Sequence, residues 1–357
     1  MIRILIADDS VAIRGFLRKT ITAQDGMEVV GTATNGRTAV EEYLKLKPDL
    51  VLMDCEMPEM DGLAALEHIL KHDKSARVMM CSSLTQDNAD ITIRALAIGA
   101  VDYIGKPTTS SVFSTPEAFQ AQLIEKITSL CAKKISATPT SSIPAKSSPS
   151  ILSGPFTLRP APMLFQKADI LAIGSSTGGL QALFNVLVPL KDRLNIPVVI
   201  TQHMPASFTQ MLAMHIAQKT NIPTHEAAEN MLIEPGHIYV APGDFHLELI
   251  RDGQSVRAHL SNAPPENFCR PSVDPMFRSI LKSYSKNIIA VILTGMGSDG
   301  LEGSRLIVES GHNNILIAQD EATSTVWGMP GAVAKAGLCH AVLPLDNIGP
   351  KILGYMR

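Results

Sequence analysis

Three acidic residues stand where a parallel sheet would gather them. The segment "LIADDS" places Asp8 and Asp9 at the end of one apolar run, and "LVLMDCEMPEMDG" places Asp54 at the end of another. Ligands of a parallel sheet sit outside the carboxyl ends of its strands, where the strand order reverses. With the order 2-1-3-4-5, strands one and three are neighbours there and the three carboxylates converge. Crowded carboxylates repel at neutral pH unless a cation intervenes, and hard oxygen ligands with open positions suit Mg²⁺. Ser82 or Ser83 ends the fourth apolar run, and Lys106, followed by Pro107, ends the fifth. A hydroxyl and an ammonium at those places complete a site for a phosphoryl group on Asp54. His68 and His72 lie four apart on a helix-like stretch, a spacing that can bind metal. No third ligand accompanies them, and they read as solvated side chains.

A second set lies further along. "ILAIGSSTGGLQAL" ends an apolar run in a Gly/Ser/Thr turn and then takes up a helical pattern. Gly174-x-Ser176-x-Gly178 matches the nucleophile elbow, in which glycines permit a sharp strand-to-helix turn around an exposed serine. Backbone N–H groups at a helix start can stabilise an oxyanion. A phosphate loop would end in Gly-Lys-Ser/Thr, and no lysine is present. The serine needs a base. "PVVITQHMP" puts His203 just after an apolar strand expected beside the one bearing Ser176; His215, His225, His237, His246, His259, His312 and His340 compete for the role. The base needs an orienting acid, and "AVILTGMGSDG" puts Asp299 in a glycine turn after the most apolar run of this half. A carboxylate there could accept the imidazole N–H and fix its tautomer. The same stretch fits G-x-G-x-x-G, with Asp320 and Glu321 about twenty residues on, as a dinucleotide fingerprint asks. A nucleotide-binding, non-hydrolase output domain is therefore the rival reading.

The elements that must carry these residues alternate cleanly. "IRILIA", "EVVGTAT", "DLVLM", "ARVMMC" and "VDYI" read as strands separated by helical stretches, the last helix covering Pro116 to Cys131. Five β-α units of this spacing imply a parallel sheet wrapped on both faces. From Ser136 to Pro162 the chain is dense in Ser, Thr and Pro and nearly free of charge; such a segment cannot bury a core and reads as an interdomain linker. After Lys167 a second α/β pattern follows, with strands "DILAIG", "PVVITQH", "GHIYVAP", "FHLELI", "IIAVILTG", "NNILIAQ" and "HAVLPL". "GHIYVAP" and "FHLELI" are close enough to pair as an antiparallel hairpin. The expected fold is α/β: a flavodoxin-like five-stranded domain over 1–132, a linker over 133–166, and a doubly wound, mostly parallel catalytic domain with a β-hairpin over 167–357.

Bulk properties narrow the function. At 357 residues the chain suits two domains. A net charge of −3 gives no electrostatic reason to expect nucleic acid or an anionic membrane surface. No run is apolar enough to span a bilayer, and the N-terminus lacks a signal peptide, which suggests the cytoplasm. Cys55, Cys81, Cys131, Cys269 and Cys339 include no C-x-x-C pair and read as free thiols.

Residues 1 to 130 resemble the receiver domain of two-component response regulators: an acid pair, the central Asp of "MDCEMP", a Ser or Thr, then Lys-Pro. The resemblance implies that Asp54 accepts phosphate from a histidine kinase. It implies that Asp8, Asp9, Asp54 and the Glu56 backbone carbonyl hold Mg²⁺. Ser82 is then the switching hydroxyl, Lys106 the phosphate partner and Tyr103 the aromatic that changes rotamer. Nearly the whole chain resembles the chemotaxis protein-glutamate methylesterases, through "IGSSTGG", "QHMP", "YVAPGDFH", "CRPSVDPMF", "LTGMGSDG" and "WGMPGAV". That resemblance implies Ser176 as nucleophile, His203 as base and Asp299 as orienter, with the Met296 N–H in the oxyanion hole and Thr177 nearby; no cofactor is expected in this domain. The substrates implied are methyl-accepting chemoreceptors, demethylated and also deamidated, with the receiver restraining the catalytic cleft until phosphorylated. Ser175 stands where the family often has Ala and puts a second hydroxyl beside the nucleophile.

Overall fold

Strands of four to seven residues, each followed by a helix, build the first half of the chain. In the computed structural model these are β1 (Ile2–Ala7), α1 (Val11–Thr22), β2 (Met27–Ala33), α2 (Gly36–Leu46), β3 (Leu50–Asp54), α3 (Gly62–His72), β4 (Val78–Ser82), α4 (Gln86–Ile98), β5 (Asp102–Gly105) and α5 (Pro116–Ile135). The structure describes residues 1–83, 86–106, 116–135, 156–160, 162, 167–284, 287–310 and 313–356. The chain divides into two compact units, Met1–Leu152 and Ser153–Arg357. Most of the Ser/Thr/Pro-rich stretch lies outside the described residues.

In the first unit the strands follow the order β2-β1-β3-β4-β5, and every pairing is parallel. The expected strands are met within two residues. β3 and β4 are buried along their full length, as apolar strands covered by helices on both faces must be. Helix starts are set by side chains that satisfy free N–H groups. Ser10 accepts from Ile13 N, Asn35 from Thr38 N and Asp61 from Ala64 N. Gly62 opens α3 against the end of β3; a Cβ there would lie 1.9 Å from the Asp54 carbonyl oxygen. Glycine is what lets the helix start approach the strand end that carries Asp54.

The second unit runs β6 (Ile170–Ser175), α6 (Gly179–Leu187), a 3₁₀ turn (Val188–Leu190), β7 (Val198–Gln202), α7 (Ala206–Thr220), β8 (Thr224–Glu226) and β9 (Ile238–Val240). It continues through β10 (His246–Asp252), β11 (Ser255–Ser261), α8 (Val273–Tyr284), β12 (Ile288–Ile292), α9 (Leu301–Glu309), β13 (Ile315–Gln319), α10 (Met329–Lys335), β14 (Ala341–Leu343) and α11 (Leu345–Tyr355). A seven-stranded sheet has the order β14-β13-β12-β6-β7-β9-β8, and its pairings are parallel. The chain leaves β6 toward β7, then returns to β12 on the other side of β6. That reversal opens a crevice at the carboxyl ends of β12, β6 and β7.

The hairpin is not the one expected. β9 joins the parallel sheet between β7 and β8, and the antiparallel pair is β10 with β11, forming a two-stranded sheet of its own. The physical reason is legible in burial. β9 is buried at every residue, as a central parallel strand is. β10 and β11 alternate: Leu247, Leu249, Val256 and Ala258 enter the core while Glu248 is half-buried and Ile250 is exposed between them. The Asp252-Gly253 turn between them, with Gly253 at φ 60°, is the short-loop signal that marks a hairpin. Val273, Met276, Phe277 and Ile280 of α8 join the hairpin's apolar residues over one face of the sheet.

Candidate functional site

The first unit gathers its acids as the strand order requires. Carboxylate oxygens of Asp8, Asp9 and Asp54 lie within 4.8 Å of one another. Lys106, just past β5, closes the group: its Nζ is 2.7 Å from Asp54 Oδ2 and 2.9 Å from Asp8 Oδ2, and its N–H donates to the Ser82 carbonyl. Burial pushes the Asp54 carboxyl up to about 6 against the pull of the Lys106 ammonium, and Asp8 adds to the rise. Although burial opposes its charge, Lys106 is held above its ordinary value by the two carboxylates. An all-oxygen donor set with one exposed member, Asp9, fits a hard divalent cation. The Glu56 N–H donates to Asp54 Oδ1. Ser82 is buried and its hydroxyl donates to the Ser83 carbonyl; Ser83 Oγ accepts from Asn88. Tyr103 is half-buried on β5, under the Lys126 ammonium at 5.8 Å. His68 and His72 are both exposed and, among the described residues, join no metal-ligating group.

In the second unit Ser176 follows β6, His203 follows β7 and Asp299 lies in the loop after β12. Since β6 pairs with both β7 and β12, all three stand on one sheet edge. The elbow is tight: Gly178 has φ 75° and caps α6, and a Cβ on Gly295 would lie 2.9 Å from Ser176 Cβ. His203 N donates to the Ser175 carbonyl at 3.1 Å. Gln202 ties the two turns together. Its Nε2 donates to the carbonyls of Ser176 (2.9 Å) and His203 (3.3 Å), and its Oε1 accepts the Ser175 hydroxyl at 2.6 Å. Ser175 is thereby fully buried, while Ser176 is half-exposed.

His203 Nε2 lies 2.7 Å from Asp299 Oδ2. A carboxylate can only accept, so the proton sits on Nε2 and Nδ1 is left as the basic nitrogen. Nδ1 faces Cys269 Sγ at 3.4 Å; among the described residues no hydrogen bond joins Ser176 to the ring. Asp299 is buried under donors. Oδ1 accepts from Asn267 Nδ2 (3.0 Å), the Ser272 hydroxyl (2.7 Å), Asp274 N (3.2 Å) and Gly300 N (2.9 Å). Oδ2 also accepts from Val273 N at 2.6 Å. Burial alone would raise its pKa, but His203 and these donors hold it at about 2. Burial likewise opposes the imidazolium, yet Asp299 and then Cys269 outweigh it and keep His203 above its ordinary value. Thr177 is buried, its carbonyl accepting from Thr294 Oγ1; Met296 is half-buried next to Gly297, whose φ is 78°.

A family model described as CheB methylesterase matches residues 171–352, more than half of the chain. The chain belongs to the CheB methylesterase family. A response regulator receiver domain model matches residues 4–115. The "Protein-glutamate methylesterase/protein-glutamine glutaminase" of Azospirillum brasilense is 44% identical over 98% of this chain and 92% of its own length. The similarly named protein 1 of Paramagnetospirillum magneticum is 44% identical over 99% and 95%. The catalytic domain of the Thermotoga maritima CheB methylesterase superposes with a TM-score of 0.51 at 37% identity, covering 52% of this chain and 98% of that one.

Membership in the CheB family leaves the dinucleotide reading unfavoured, and the geometry agrees with that. Asp299, inside the G-x-G-x-x-G stretch, is committed to His203. Asp320, the acid that would bind a ribose, accepts instead from Thr323 N and Oγ1 within its own turn. No helix among the described residues is long and apolar enough to cross a membrane. Gln202, Asn267, Cys269 and Ser272 were not singled out as site residues from sequence. Only their nearness to His203 within "QHMP" and to one another within "NFCRPS" could have signalled them.

Proposed function

We propose that this chain is a phosphorylation-controlled methylesterase of chemoreceptor glutamates, working in the cytoplasm. Ser176 is the nucleophile, His203 the base and Asp299 the group that orients it. The observation that carries the reading is the 2.7 Å His203–Asp299 contact at the strand edge that bears Ser176. Ser176 Oγ attacks the carbonyl carbon of a glutamate γ-methyl ester while its proton passes to His203 Nδ1, the nitrogen Asp299 leaves basic. Cys269 faces that nitrogen, so the thiol gives way when the hydroxyl engages; such catalytic hydrogen bonds tighten on forming the substrate complex. The Met296 N–H, beside Thr177, receives the oxyanion. Imidazolium returns the proton to the leaving methoxide, methanol departs, and water activated by the same nitrogen releases the carboxylate. A glutamine side chain follows the same path with ammonia leaving, matching the double name of the relatives.

Asp54 is the phosphoacceptor, supplied by a histidine kinase. Asp8, Asp9, Asp54 and the Glu56 carbonyl would hold Mg²⁺, which supplies charge neutralisation at an acyl phosphate. Lys106 pairs with the phosphoryl oxygens, and Ser82 and Tyr103 respond to them. Methanol release from a methylated receptor, with and without acetyl phosphate, tests this control. Wild type is expected to gain about 5- to 150-fold, the usual range of an allosteric coupling, and Asp54→Asn to gain nothing. Equal stimulation of both would refute it.

The elevated Asp54 pKa sets a pH dependence. Metal binds the carboxylate, so protons compete below the folded pKa of about 6. Between pH 7 and pH 5 the charged fraction falls about tenfold, and Mg²⁺ affinity with it. Calorimetric titration of the full chain should show that drop; a pH-independent affinity over this interval would contradict it.

A further inference from the structure

The end of β4 holds a polar chain of which the phosphoacceptor scheme uses only Ser82. Ser82, Thr92 and Cys55 are all buried, at 0%, 0% and 2% exposure, and come from β4, α4 and the residue after Asp54. The Thr92 hydroxyl is 2.9 Å from Ser82 Oγ and 2.7 Å from the Asn88 carbonyl, one turn back on α4. Its oxygen is 3.6 Å from Cys55 Sγ. The Ser82 hydroxyl spends its single proton on the Ser83 carbonyl at 3.0 Å, while its oxygen takes up Thr92. Both halves of the serine hydroxyl are thus committed to partners other than the acid cluster.

We propose that Thr92 is a positioning residue that latches the Ser82 hydroxyl away from Asp54 until a phosphoryl group forms there. To donate to a phosphoryl oxygen, Ser82 must leave the Ser83 carbonyl and break with Thr92. Each bond stabilises only the unphosphorylated arrangement, so each lowers the affinity for the phosphorylated one. When the latch opens, the Thr92 proton, no longer shared with Ser82, goes wholly to the Asn88 carbonyl, and Cys55 remains beside Thr92, so no buried hydroxyl is stranded. The inference rests on the assignment of Asp54 as phosphoacceptor and Ser82 as the hydroxyl that meets the phosphoryl group.

The test is a titration of the full chain with beryllofluoride, a phosphoryl mimic, in saturating Mg²⁺. Thr92→Val, which keeps shape and removes the hydroxyl, is expected to bind about 2- to 10-fold tighter, the range for one buried hydrogen bond. Thr92→Ala should shift the same way, and Thr92→Ser should stay at wild type. In a Ser82→Ala background, Thr92→Val should shift nothing further, because the bond it removes is already gone; a merely structural threonine would act in both backgrounds. Unchanged or weaker binding by Thr92→Val, or an equal shift by Thr92→Ser, would overturn the latch while the phosphoacceptor assignment stands. A wild type that binds no beryllofluoride would overturn both.

Discussion

Replacing Ser176 by alanine is expected to reduce kcat for methanol release from a methylated receptor by about 10⁶-fold, the loss a serine hydrolase triad suffers without its nucleophile. Receptor binding should change little, because only one hydroxyl is removed at the reacting atom. The neighbouring Ser175→Ala is the contrast. Its hydroxyl is buried on Gln202 Oε1 and faces the protein interior. Losing it strands that acceptor at about 1–3 kcal/mol of stability, with kcat kept within about tenfold of wild type, since the elbow backbone remains tied by Gln202 Nε2. Cys269 makes the Ser176 experiment decisive in both directions. Its sulfur is 3.4 Å from the base nitrogen, and a thiol beside an imidazole is itself a potential nucleophile. A Ser176→Ala variant that retained activity, and lost it on adding Cys269→Ala, would transfer the nucleophile to the thiol and end the serine mechanism.

What could be read from sequence follows from which interactions are local. Strand ends in a parallel sheet are written as the last residues of apolar runs. That is why Asp8, Asp54, Lys106, Ser176 and His203 are legible as strand-end residues, and the strand order then gathers them on their edges. The hairpin expectation fails because "GHIYVAP" and "FHLELI" are neighbours in sequence only, and proximity carries no pairing pattern. The alternation in Val256, Ala258 and Leu260 after Asp252-Gly253 was the better signal. β8, with three residues, carries no periodicity at all. The shell around Asp299 was illegible for a different reason. Asn267, Ser272 and Val273 reach it from 26 to 32 residues away, through a loop in which Asn267 and Phe268 take left-handed φ values of 52° and 61°. No propensity encodes a contact made by so irregular a segment. The Ser82–Thr92 bond has the same character, since it depends on how α4 sits over β4.

Asp299→Asn probes that shell with the second largest effect. The wild-type carboxylate accepts at every contact, from His203, Asn267, Ser272 and the N–H groups of Val273, Asp274 and Gly300. An amide offers one accepting oxygen and one donating nitrogen. If its NH₂ faces His203, it donates to Nε2, the ring proton moves to Nδ1, and the nitrogen that should take the serine proton is already occupied. If its oxygen faces His203, the NH₂ confronts the Asn267 NH₂ and the Asp274 and Gly300 N–H groups, donor against donor, at about 1–3 kcal/mol for each group left unsatisfied. The expected result is a loss of about 10⁴-fold in kcat, the cost of the wrong tautomer in such triads, together with a lower melting temperature. The pH profile separates the two causes. In wild type the base must be neutral to act, and Asp299 raises the His203 pKa, so activity climbs with pH along a limb centred above the ordinary 6.5. Removing the charge removes the first of the two influences that raised it, and the limb moves to lower pH. A variant that merely unfolds would lose amplitude in proportion to its folded fraction and leave the limb where it was. That outcome would reduce Asp299 from the group that orients the base to a scaffold for the loop that carries Cys269.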